Sequence, residues 1–199
     1  MPAPLHDSWS RIDAWLESQS SSDRKLLQSP VSADQIDAAA AEFGVEFHSD
    51  LRDFYLIVNG TDPNGESVGL FPSVDEWDEM PYGPMAIEQV VREWKLQKEL
   101  LEGGDFEGCE PEEVDDGIVK DFWNVGWIPF AGNGGGDLYC IDMSPADGGT
   151  AGQVISHSHE TGNHQRLADS LSDYLGDLAS GLESGKYTYG EDGVQVSSE

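Results

Sequence analysis

Leu5, Trp9, Ile12 and Leu16 recur at intervals of three and four, a spacing that gathers them on one face of a helix. The helix predicted from them runs to about Gln19, where Ser20, Ser21 and Ser22 break the pattern. A second helix begins at Ser32, whose spacing to Gln35 is that of a capping box. Ile36, Ala40 and Phe43 form its apolar stripe and Gly44 its left-handed stop. Ser49 can cap a third, with Leu51, Phe54, Tyr55 and Val58 inward and Asn59 and Gly60 at its end. A short strand is expected around Leu70 and Phe71. A long helix then follows, with Pro84 at its start and Ile87, Val91, Trp94 and Leu101 on one face.

The pattern changes after Gly126. Trp127 to Phe130, Leu138 to Met143 and Gln153 to Glu160 read as strands separated by glycine-rich turns, with Pro129 marking an edge or a bulge in the first. Such turns are too short for crossover helices, so the strands form an antiparallel meander. Leu167, Leu171, Tyr174, Leu178 and Leu182 give a closing helix. The order predicts an α+β fold, a mainly antiparallel sheet packed with N-terminal, middle and C-terminal helices. One domain is expected over residues 1–187, with an acidic insert at about 102–117 read as a mobile loop. Residues 188–199 read as a flexible acidic tail.

Charge then narrows the partner. The 199 residues hold 39 Asp and Glu against 10 Lys and Arg, a formal net charge of -29. Direct binding to nucleic-acid phosphates or to an anionic membrane is disfavoured, and a basic partner is favoured. The acids are unevenly spread: Glu102 to Asp116 holds eight and no base, and Asp53 to Val91 another eight and no base. Cys109 and Cys140 lack a CxxC spacing, which points to a reducing compartment. The first residues are not a basic and then apolar leader, and no apolar run approaches the roughly 20 residues that span a bilayer. A soluble, cytoplasmic protein is expected.

Motifs that suggest catalysis fail in context. Gly65 to Gly69 spells GxSxG around Ser67, but a nucleophile elbow needs a strand before the serine and a helix after it. Here a helix and an acidic loop precede, and Leu70, Phe71 and Pro72 follow. Gly132 to Asp137 resembles a phosphate-binding loop, yet it joins two strands and ends in a carboxylate that repels phosphate, so it reads as a turn needing positive φ. His157 and His159 sit two apart on a predicted strand, with Glu160 and His164 near, which makes a metal site conceivable, but no fourth ligand stands at a firm spacing. Carboxylates are too numerous for any pair to stand out as acid and base, and the six Trp lie mostly on predicted apolar faces. No catalytic residue, metal ligand or cofactor is assigned.

Several segments together resemble the SUKH superfamily, which holds the fungal Smi/Knr cell-wall assembly regulators and many bacterial proteins. They are the Trp9, Ile12, Trp15, Leu16 opening, the segment LRDFYLIVNG from Leu51 to Gly60, Gly69 to Phe71, the block GWIPFAGNGGGDLYCIDM from Gly126 to Met143, GQVISHSHE, and Leu182, Gly185 and Tyr187. The resemblance implies an α+β fold and binding without catalysis, and it covers about residues 8 to 187. Many bacterial members resemble immunity proteins that neutralise a cognate toxin, so the leading expectation is an immunity-type protein that binds a basic toxin. A regulatory adaptor in cell-wall synthesis is the alternative, and a small hydrolase or metal enzyme the second. The candidate partner-binding residues are Asp62, Glu66, Asp75, Glu76, Trp77, Asp78 and Glu79, carboxylates grouped around an aromatic anchor.

Overall fold

The computed structural model describes residues 5–19, 23–62, 68–74 and 80–197. Helix α1 spans Leu5–Ser18 and buries the stripe expected of it, Leu5, Trp9, Ile12 and Leu16. After a 3-10 turn at Asp23–Leu26, α2 spans Ala33–Phe43. Its start is the capping box of Ser32 and Gln35, and Gly44 ends it at φ 69°. The buried positions are Ile36, Ala39 and Phe43, so Ala39 takes the place that the spacing gave to Ala40. Helix α3 spans Ser49–Tyr55, and the cap is His48 rather than Ser49, its ring nitrogen accepting the Asp50 N–H.

The sheet has five strands in sequence order, all antiparallel: β1 Gly83–Pro84, β2 Trp127–Gly132, β3 Leu138–Asp142, β4 Gln153–His157 and β5 Arg166–Ala168. The meander is therefore as the glycine turns imply. Pro129 lies at a register shift between β2 and β3, where its missing N–H leaves no gap in a regular ladder. Phe71 makes an isolated bridge to Tyr82 rather than a strand.

Strands β2, β3 and β4 are buried almost throughout, which requires cover on both faces. Alternation sends Tyr139 to one face, with Phe130 beside it, where both meet Tyr174 of α5, Leu171–Ser184. The paired positions Leu138 and His157 point to the opposite face, towards α4, Ile87–Gly103. Helix α4 starts three residues later than expected because Pro84 belongs to β1, and it buries Ile87, Val90, Trp94 and Gln97. Val91 is only half-buried and Leu101 is exposed, so the inward face is rotated from the expected one.

Leu167, expected in the closing helix, lies in β5, and Ser170 caps α5 by accepting the Asp173 N–H. Residues 110–116, within the expected insert, run along the β4–β5 turn: Glu112 N–H donates to Thr161 O, His164 N–H to Glu113 O and Asp115 N–H to His164 O. Residues 187–196, at and beyond the end of the expected domain, form a hairpin of β6, Tyr187–Tyr189, and β7, Val194–Val196. Val194 is buried and its N–H donates to Gly69 O. Among the described residues no helix is long and apolar enough to cross a membrane.

Candidate functional site

The loop from Asn133 to Asp137 is a hairpin turn held by two side chains. Asn133 Oδ1 accepts the N–H groups of Gly135 (2.8 Å) and Asp137 (3.2 Å), and Asn133 Nδ2 donates to Asp137 Oδ2 at 3.1 Å. Gly134 and Gly136 adopt φ of 78° and 118°, the left-handed values that the glycines of this turn permit. Asp137 Oδ1 in turn accepts the His159 N–H at 2.9 Å and lies 2.8 Å from His159 Nδ1. The loop is thus fastened to the end of β4 and stands as a ridge.

A cleft opens on each side of that ridge, of about 740 Å³ and 750 Å³. Asn133, Gly135, Asp137, His157 and His159 line both. The first cleft is walled by α4, which contributes Gln89, Glu93, Leu96 and Leu100, a second stripe at helical spacing beside the buried one, and Gln97 from the buried stripe itself. Met85, Phe106 and Phe122 add apolar surface and Asp192 a carboxylate from the turn between β6 and β7. The second cleft lies on the Tyr82 and Ser156 side, with Glu113 and Glu160 at its wall. Its floor is braced by Tyr82 stacked on Tyr139 at 3.9 Å and by the Tyr139 hydroxyl donating to Pro72 O.

His157 sits between the clefts and is only 1% exposed. Phe122, Trp123, Trp127 and His164 surround its ring, the last stacked at 5.3 Å. Burial drives its pKa down to about 3, and the neighbouring His164 adds to the shift, so the imidazole is neutral. Its Nδ1 is buried without a hydrogen-bond partner, a condition that costs about 1–3 kcal/mol. His164 is lowered by burial as well, although its Nε2 lies 2.9 Å from Asp121 O and its Nδ1 3.3 Å from Ser156 O.

The expected pairing of His157 and His159 on one strand face does not occur. The strand ends at His157, and His159 turns outward to Asp137. Among the described residues no three His, Cys, Asp or Glu side chains converge on a metal position. Cys109 is exposed and Cys140 buried, and both are free thiols. Buried Asp142 is structural: burial raises its pKa, and hydrogen bonds from Ser144 N–H and Gln153 Nε2 oppose that. Trp9, Trp94, Trp123 and Trp127 are core residues, as their apolar settings imply.

Of the residues selected from acid density, Asp62 is exposed and follows Thr61, which lines the first cleft. Glu66, Asp75, Glu76, Trp77, Asp78 and Glu79 lie outside the described residues, as does Ser67. Glu79 directly precedes Met80, another lining residue. Glu93, Leu96, Leu100, Phe106, Phe122 and Asp192 were not selected by sequence. The one available signal was the pair Leu96 and Leu100, four apart and off the predicted inward face.

Over residues 30–177 the chain matches the model of the family described as SMI1 / KNR4 family (SUKH-1). It is 25% identical over 204 residues to a Schizosaccharomyces pombe protein named "Cell wall biosynthesis/cell cycle regulator smi1", covering 96% of this chain and 39% of that one. It is 22% identical over 230 residues to the "KNR4/SMI1 homolog" of Yarrowia lipolytica, covering 96% of this chain and 32% of that protein. The chain therefore spans well under half the length of these relatives. The family match takes in the whole five-stranded sheet, the ridge and the residues lining its two clefts except Asp192, and on that extent the chain belongs to the SMI1/KNR4 (SUKH-1) family.

Proposed function

We propose that this chain is a non-catalytic protein-binding domain, extending over residues 1–187 together with the hairpin strand that follows and packs back on it, that uses the ridge and its clefts as its partner face. The observation that carries the reading is the charge of the clefts. Glu93, Glu113, Asp137, Glu160 and Asp192 line them, and among the described residues no Lys or Arg does. Complementary fields of this kind raise association rates with a basic protein and suppress wrong partners, and they weaken as salt rises. His159 and Asp137 pair, but among the described residues no hydroxyl or thiol hydrogen-bonds to His159 to complete a nucleophilic triad.

The leading form of this reading is an immunity-type protein that covers the active surface of a basic toxin. A regulatory adaptor in cell-wall synthesis is the second form, supported by the names of the two fungal relatives. Capture from the native organism at low salt, elution at raised salt and identification of what elutes tests both. The immunity form expects a basic toxin domain whose activity is blocked at equimolar ratio. The adaptor form expects a cell-wall enzyme or its regulator. Recovery of only acidic partners, or of partners that salt does not release, would overturn the electrostatic basis. Turnover abolished by Ser67→Ala or by a chelator would instead establish an enzyme.

A further inference from the structure

The protein-binding reading leaves open the chemistry of what enters the cleft under α4. Resting on that reading, we propose that it receives a segment of a partner protein in which a lysine or arginine side chain stands next to an apolar one. Charge is the first ground. Six of the bases are engaged elsewhere, in the pairs Arg11 with Glu183, Arg24 with Asp13, Arg52 with Asp37, Lys95 with Glu42, Lys98 with Glu102 and Arg166 with Asp169. No Lys or Arg lines this cleft beside Glu93, Asp137 and Asp192, Asp137 being held by His159 and Asn133, and none of the residues outside the described set is basic. A carboxylate partly withdrawn from water gains most from a cation held against it.

Apolar surface is the second ground. Leu96 is 49% exposed although it belongs to a helix whose other face is buried, and Leu100 continues its stripe one turn on. With Phe106 and Phe122 opposite, these side chains form an apolar strip beside Glu93, so one occupant must satisfy both chemistries. The third ground is His157, buried at the divide between the clefts with Nδ1 unpartnered. His157 lines this cleft, and a peptide brings backbone N–H and C=O groups that can pair with polar atoms there, which a purely apolar ligand cannot do.

The full chain, labelled with nitrogen-15, is titrated with short peptides of equal length that alternate leucine with lysine, serine with lysine, or leucine with glutamate. The leucine–lysine peptide is expected to shift the amides of Leu96, Leu100 and Gly134 to Asp137 and the Trp123 indole. The other two should bind at least about tenfold more weakly. Glu93→Lys and Leu96→Ser should each weaken the leucine–lysine peptide by about tenfold, whereas Asp177→Lys on the exposed side of α5 should change it less than about twofold. Leu96 is already half in solvent, and a dispersed spectrum of each variant verifies its fold. Equal binding of the two lysine peptides, or equal sensitivity to Asp177→Lys, would show diffuse attraction to an acidic surface and overturn the inference. Spermine shifting the same amides at the same affinity would also overturn it, making the occupant a small polycation. A captured protein partner indifferent to Glu93→Lys and Leu96→Ser would remove the cleft assignment and leave the protein-binding reading standing.

Discussion

His157 is a titratable group that the fold keeps neutral, and that makes its effect on stability calculable in sign and size. Its pKa falls to about 3 in the folded chain because burial penalises the charged ring, against about 6.5 when exposed. Between those values the unfolded chain holds more protons than the folded one, so stability is complete above about pH 6.5 and is lost as pH falls towards 3. From pH 7 to pH 5 the loss from this residue is about 2 kcal/mol. His164, lowered by the same cause, acts in the same sense, and Asp142, raised by burial, in the opposite one. His157→Phe removes the titration in a pocket already made of rings. Urea midpoints at the two pH values should differ by about 2 kcal/mol less in the variant than in the parent, contributions common to both chains cancelling. An unchanged pH slope would mean that the ring is protonated, or reached by water, in the folded protein.

At the scale of elements, the start of α4 is held from outside the helix. Ala86 offers no capping side chain, and Asn59 Oδ1, just beyond α3, accepts the Ile87 N–H at 2.9 Å. Asn59→Ala leaves a buried donor unpaired and should cost about 1–3 kcal/mol in urea unfolding. Gly60 follows at φ 61°, and a Cβ there would lie 2.3 Å from the Met85 carbonyl carbon. Gly60→Ala should therefore destabilise well beyond Gly44→Ala, where φ is 69° but the space is open and the cost is about 1 kcal/mol. Equal costs would mean that the chain near Met85 yields easily. The Asn59 and Gly60 pair reads in sequence only as a helix stop; its second role depends on a contact 28 residues away. That difference runs through the whole fold. The α1 stripe, the Ser32 capping box and the Gly134 turn are legible because their determinants lie within a few residues of one another. Strand β5 and the β6–β7 hairpin are not, since three-residue strands carry little periodicity and β7 is anchored by distant Gly69. The ridge was visible as a glycine run, but the clefts beside it join α4, Phe122 and Asp192, which only the fold brings together.

For the molecule as a whole, the net charge of -29 acts on folding and on binding with opposite responses to salt. Packing so many carboxylates into a folded volume raises their mutual repulsion above that of the expanded unfolded chain. The attractive pairs that could offset it, such as Lys95 with Glu42 and Lys98 with Glu102, have exposed side chains and contribute little each. Repulsion between exposed acids is the larger sum, and shortening the Debye length from roughly 30 Å towards a few ångströms removes most of it. Raising sodium chloride from about 10 mM to about 0.5 M should therefore lift Tm by roughly 3–6 °C, the size of a 1–2 kcal/mol gain in a chain of this length. Association with a basic partner should slow over the same range, because the field that opposes folding is the field that steers encounter. The two responses separate at the clefts: Glu93→Gln should slow association more than it raises Tm, since one charge in 39 is a small part of the repulsion but a large part of the local field. A Tm that falls with salt would instead mean that the surface pairs outweigh the repulsion, and the acidity would then serve stability before recognition.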